Sequence, residues 1–215
     1  MNKFVYFIWL LLLVSAGCNQ QSGSEKNGSA VTMKKGLQEQ NEDSIAAKRI
    51  LMIAELQRMQ QAFIAKDVNQ IEKYFDFPLA DSSMSMFDVN EEFDQVRKTN
   101  GGMISRELFI KNFNDIYDYF QMGGFNDLFK AVNVAELKTN PKLESESHVE
   151  DEGCYSFYII QIDGDTVSLQ YGTNSDPKYR EAHPDQEEVC GESAQQWTFK
   201  LEGNRLRFIK EVTAG

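Results

Sequence analysis

Two runs rich in aromatic and β-branched residues, 154–162 and 166–171, flank Asp163-Gly164. Period-two runs on either side of an Asp-Gly pair are the strongest short-range signature of a β-hairpin. Val167, Leu169 and Tyr171 supply the alternation in the second run. Further on, Trp197, Phe199 and Leu201 alternate, Glu202-Gly203-Asn204 turns the chain, and Leu206 and Phe208 alternate within 205–212. These runs predict an antiparallel four-strand meander. An acidic loop over 144–152 is expected before it, and a long polar loop over 172–193 inside it.

The chain before the meander is patterned for helices. Over 44–65, Ile45, Ile50, Leu51, Ile53, Ala54, Leu56, Phe63 and Ile64 recur at helical spacing with no Gly or Pro between them, which predicts one long helix. Asp67 with Gln70 has the spacing of a capping box and predicts a second helix over 68–75, ended at Phe77-Pro78. A turn or two of helix is expected at 90–98. Ser105 is placed to cap a helix carrying Leu108, Phe109, Phe113, Ile116, Tyr117 and Phe120. Gly123-Gly124 ends that stripe, and 125–134 predicts a further short helix. Helices first and antiparallel strands last define an α+β domain, with N-terminal helices packed on one face of the sheet.

The start of the chain carries an address. Met1-Asn2-Lys3 precedes eleven apolar residues, Phe4 through Val14, and then Ser15-Ala16-Gly17-Cys18. A basic start, a short apolar run and small residues at a cleavage site describe a secretory signal. The run is too short to span a bilayer, which takes about 20 residues. Val14-Ser15-Ala16-Gly17-Cys18 resembles the lipobox of bacterial lipoproteins, although Ser15 stands where that family usually carries Leu. The resemblance implies cleavage before Cys18, a diacylglyceryl group on its thiol, and attachment to a membrane through that lipid. Asn19 rather than Asp follows the cysteine. By resemblance to Gram-negative lipoproteins, this implies the outer membrane, with the protein facing the periplasm or the cell surface. Residues 1–17 are then the signal peptide and 18–43 the lipidated cysteine with a flexible polar tether. Residues 44–215 form a single domain.

Export also organises the remaining cysteines. With Cys18 lipidated, Cys154 and Cys190 are left as a pair, and an even remainder in an exported chain predicts a disulfide. In the meander both cysteines fall at one end of the sheet, one or two strand spacings apart (about 5–10 Å). The formal net charge of −11, one unit more negative once Lys3 is removed, argues against nucleic acid and against electrostatic docking on anionic lipid.

Residues 63–67, then Ile71-Glu72-Lys73-Tyr74-Phe75-Asp76-Phe77-Pro78-Leu79, the helix from Ile104 to Phe120, and the closing strands from Trp197 onward resemble NTF2-like proteins of the cystatin-like superfold. Small lipoproteins of Bacteroidetes-like bacteria include many of this type. The resemblance implies a cone of curved sheet wrapped by helices, whose cavity serves enzymes in some relatives and only binding or assembly in others. It does not decide the activity. Some relatives, such as ketosteroid isomerase, set a Tyr and an Asp into an apolar cavity; by that analogy Tyr74, Asp76, Tyr117, Tyr158 and Trp197 are the candidate cavity wall.

No catalytic residue is assigned from sequence. His148 and His183 lie apart in polar stretches, and no clustered Cys, His or carboxylate spacing calls for a metal or another cofactor. Asp163-Gly164-Asp165 lacks the rest of a calcium loop, and Gly101-Gly102 and Gly123-Gly124 are isolated breakers rather than a phosphate loop. Three functions are left open: an envelope binding module for a small molecule or protein partner, an NTF2-like enzyme acting on a small apolar or glycan-derived substrate, and an acidic inhibitor or immunity lipoprotein.

Overall fold

A computed structural model describes residues 29–80, 82–84, 86, 88–148, 153–185 and 190–215, with side chains from residue 44 onward. Cys18, the expected signal segment and the first part of the expected tether lie outside the described residues. The chain divides into two compact units, Met1–Glu39 and Gln40–Gly215.

Helix α1 spans Ser29–Ile64. It therefore begins inside the segment expected to be tether. Met33, Lys34, Lys35, Leu37, Gln38, Glu39, Gln40 and Glu42 are strong helix formers, but they have no apolar stripe for periodicity to detect. The packed part of α1 buries Met52, Ile53, Leu56, Met59, Ala62 and Phe63. Ile50 and Ile64 are exposed because they fall out of phase with that face. Ile45, upstream of the first buried position, is exposed as well.

The chain leaves α1 through Lys66, whose φ of 47° is left-handed, and the Asp67 N–H closes on the Ala62 carbonyl at 3.0 Å. Asp67 then caps α2 (Val68–Ile71), its carboxylate accepting from the Asn69 N–H at 3.0 Å. A 3-10 turn over Glu72–Tyr74 follows. After a cis Phe77–Pro78 peptide, β1 (Leu79–Ala80) pairs antiparallel with β2 (Met103–Ile104). Between them stands α3 (Glu91–Thr99), capped by Asn90, which accepts from the Phe93 N–H at 2.8 Å.

The helix expected from Ser105 is split into α4 (Arg106–Lys111) and α5 (Phe113–Tyr119). Ser105 caps it as expected, accepting from the Leu108 N–H at 3.2 Å. The break falls at Asn112, whose side chain donates back to the Leu108 carbonyl at 2.9 Å and accepts from the Asn90 amide at 3.0 Å. Such local side-chain bonds compete with helix continuation. Helix α6 (Gly124–Ala131) and a 3-10 turn (Val134–Lys138) complete the helical part.

The sheet has five antiparallel strands in the order β3-β4-β5-β6-β7, where β3 is Lys142–His148, β4 Cys154–Asp163, β5 Thr166–Ser175, β6 Ser193–Glu202 and β7 Arg205–Ala214. The four predicted strands are present. Strand β3 is the addition, and over 144–148 it corrects the reading of that stretch as loop; 149–152 lie outside the described residues. It pairs with β4 from Lys142↔Gln161 to His148↔Tyr155 and sends only Leu143 into the core. An edge strand with one inward residue and charges elsewhere is protected against pairing with other chains, and by the same token it looks like loop in sequence. Gly164 and Gly203, both at φ of 60°, open the two tight hairpins as the first turn residue, the place where glycine meets no steric cost. Within the expected polar loop, α7 (Pro177–Ala182) is capped by Asp176.

One face of the sheet carries Ile160, Ile162, Val167, Leu169, Tyr171, Trp197, Phe199, Leu206 and Phe208, buried in a single apolar cluster with the helices. Gly124 at the start of α6 lets the Tyr171 ring lie against the helix backbone: a Cβ there would stand 2.3 Å from the ring. The Tyr171 hydroxyl donates to the Gln121 carbonyl at 3.1 Å.

Candidate functional site

The interior is occupied by side chains. Trp197 is wholly buried, with the rings of Phe125, Phe208 and Phe120 at 5.3, 5.7 and 5.9 Å. Phe63 lies 4.3 Å from Phe125, and Phe75 lies 4.9 Å from Phe208. Polar chemistry that can meet a ligand is therefore found at the surface of the body.

An open cleft of about 460 Å³ lies where α1, the α2 segment and the β6–β7 turn converge. Helix α1 contributes Glu55, Arg58 and Ala62, positions three and four apart that share one side of a helix, and Ala65 follows in the turn just past its end. The reversal through Lys66 and Asp67 brings Gln70, Lys73 and Tyr74 across from them, and the turn at Gly203 delivers Arg205. Small Ala62 and Ala65 leave the floor open.

Glu55 ties these elements together. It is buried, its Oε2 accepts from the Leu206 N–H at 3.2 Å, and its Oε1 is paired with the Arg58 guanidinium. A carboxylate in the apolar face of α1 is thus satisfied by a strand 151 residues away in sequence. Tyr74 sits edge-on to Phe199 at 6.4 Å. Burial, reinforced by the charge of Glu55, pushes its phenol well above the ordinary tyrosine value, while Arg58 and Arg205 act in the opposite direction. At neutral pH Tyr74 is a neutral hydrogen-bond donor.

Of the candidate cavity residues, Tyr74 alone lines this cleft. Asp76 is exposed and paired with Arg207 at 3.2 Å. Tyr117 is buried against Phe63 and Phe113, with the Lys66 ammonium 4.3 Å above its ring; burial raises its phenol pKa, and a hydrogen bond with Asn126 partly offsets that. Tyr158 is half-buried against the core, opposite Tyr171 on β5. Trp197 is the centre of the aromatic packing. The five do not converge on one point.

At the other end of the sheet, Cys154 and Cys190 form the expected disulfide, with Cα atoms 5.5 Å apart. His148 stacks on Tyr155 at 4.9 Å, with Nδ1 3.0 Å from Asp176 and Nε2 3.2 Å from Glu146. These two carboxylates raise its pKa. Close by, Glu192 accepts from the Ser175 hydroxyl at 2.8 Å and from Arg180 at 2.9 Å, which lowers its pKa, the Ser175 bond contributing most. His183 stacks on Tyr179 at 4.0 Å. Among the described residues, no group of three or more His, Cys, Asp or Glu is arranged to hold a metal ion, and no helix is long and apolar enough to cross a membrane.

The sequence reading missed Glu55, Arg58, Lys73 and Arg205. Only Glu55 left a signal: a carboxylate between Met52 and Met59, inside the core-facing stripe. No protein-family model, curated protein or solved structure matches the chain.

Proposed function

We propose that this chain is a lipid-anchored binding module of the bacterial cell envelope, tethered through Cys18, with the cleft around Tyr74 as its ligand site. The folded body is read as an NTF2-like domain whose cone is filled. The carrying observation is the contrast between the two places a ligand could go. The interior is closed by Trp197, Phe125 and Phe208, whereas the cleft of about 460 Å³ is open and within the range of small-molecule sites, roughly 300–1,000 Å³. The signal and lipobox-like segment before Cys18 supports the envelope address, and the Cys154–Cys190 disulfide accords with an oxidising compartment.

Amide NMR of the full-length chain in detergent micelles, screened against a fragment set of mixed charge, tests the ligand site. Shifts gathered on residues 55–74 and 203–206 are expected. Shifts scattered over the sheet, or no response from the cleft, would overturn the assignment.

A further inference from the structure

We propose that the ligand of this cleft is an anion of carboxylate or phosphate chemistry, gripped by Arg205 together with Arg58 and Lys73. The inference rests on the cleft being the ligand site and adds the ligand's class.

The uncommitted hydrogen-bonding groups of the cleft decide it. Its two carboxylates are already engaged. Glu55 accepts from the Leu206 N–H and holds Arg58, and Asp67 spends its carboxylate on the cap of α2. Its cations are far less committed. Among the described residues the Arg205 side chain makes no hydrogen bond or ion pair. Lys73 reaches only the Gln70 amide oxygen, at 2.9 Å. Arg58, with its side chain 67% exposed, gives Nη1 to Glu55 and keeps most of its five donors free. Tyr74 adds a neutral phenol on the apolar wall.

Beside the neutral amides of Gln61 and Gln70, the free charged capacity is therefore cationic donors, presented by α1, the 3-10 turn and the start of β7 together. A cation or a polyol would find few free charged acceptors there. A carboxylate or phosphate would find charge-assisted, fork-shaped donors. The cleft also runs against the sign of the whole chain, whose formal net charge is −11. Screening over roughly 8–10 Å lets such a local cationic site persist in an acidic protein.

The test titrates the full-length chain in non-ionic detergent micelles with inorganic phosphate, succinate, spermidine and glucose, following heat and the amides of the cleft. Saturable binding of phosphate or succinate is expected, with shifts at Arg58, Lys73 and Arg205; whichever binds tighter assigns the phosphate or carboxylate source. Arg205→Ala, at the exposed start of β7, should weaken that binding by about tenfold or more, the loss of one charge-assisted contact. Arg205→Lys should retain part of the affinity, and added NaCl should reduce binding to the parent chain. Anion binding unchanged in Arg205→Ala would overturn the proposal as adventitious. Spermidine or glucose saturating the same amides would overturn the anion assignment while leaving the cleft as a ligand site. Silence of the cleft toward every probe would remove both readings.

Discussion

Replacing Cys154 and Cys190 together by Ser should cost a large share of the stability of the folded unit. The bridge joins residues 36 apart in sequence, tying the start of β4 to the chain just before β6. Cross-linking a loop of that length removes unfolded-chain entropy equivalent to about 4 kcal/mol at 25 °C, against a typical total of about 5–15 kcal/mol. For a unit the size of Gln40–Gly215, each kcal/mol corresponds to roughly 2–4 °C, so the melting temperature should fall by about 8–16 °C. Calorimetry of the oxidised parent and the Ser pair measures this directly. Hydrogen exchange should add a spatial signature: faster exchange at the bridged end, around Thr173, Ser175 and Ser193, with Trp197 and Phe199 changed only as much as global stability requires. A melting temperature within about 2 °C of the parent would refute the reasoning, because the closed loop exists in the unfolded chain whatever the native geometry.

Three other perturbations follow from named contacts. Gly124→Ala should destabilise by about 1–3 kcal/mol through overpacking, since the new Cβ meets the Tyr171 ring at 2.3 Å; Gly124→Ala combined with Tyr171→Leu should recover part of the loss in urea melts, and a neutral single variant would contradict the packing. Glu55→Ala should cost about 1–3 kcal/mol by leaving the buried Leu206 N–H without its acceptor, even though Ala favours the helix; unchanged denaturation midpoints would show that the bond contributes nothing. His148 should titrate by NMR above the ordinary histidine value of about 6.5, and Asp176→Asn should lower it, since Asp176 is the larger cause of the shift. Because the folded pKa is raised, the stabilisation is fully present below the unfolded value and fades as pH rises through the folded one; a His148 that titrates at or below about 6.5 would contradict the two-carboxylate clamp.

What the sequence disclosed and what it hid divide along the range of the interactions. The hairpins at Gly164 and Gly203, the Asp67 and Ser105 caps and the pairing of Cys154 with Cys190 depend on neighbours in sequence or on strand order, and they were legible. Strand β3 was not, because an edge strand with Leu143 as its one buried residue has too little alternation to register. The split at Asn112 depends on a hydrogen bond from Asn90, which no local pattern announces. Methionine was undervalued: Met52 and Met59 fill the α1 interface as adaptable core residues do. The cleft was the least legible feature. Its walls come from residues 55–74 and from Arg205, joined by the contact of Glu55 with Leu206. Tyr74, a candidate by family analogy, lines a surface cleft rather than the interior.

The proposed envelope role rests on Cys18, so the most direct measurement is mass spectrometry of the chain extracted from membranes of its native host or of a bacterium that expresses it. The account predicts an amino-terminal peptide that begins at Cys18 and carries a diacylglyceryl group on its thiol. A peptide beginning at Met1, or an unmodified Cys18, would contradict it.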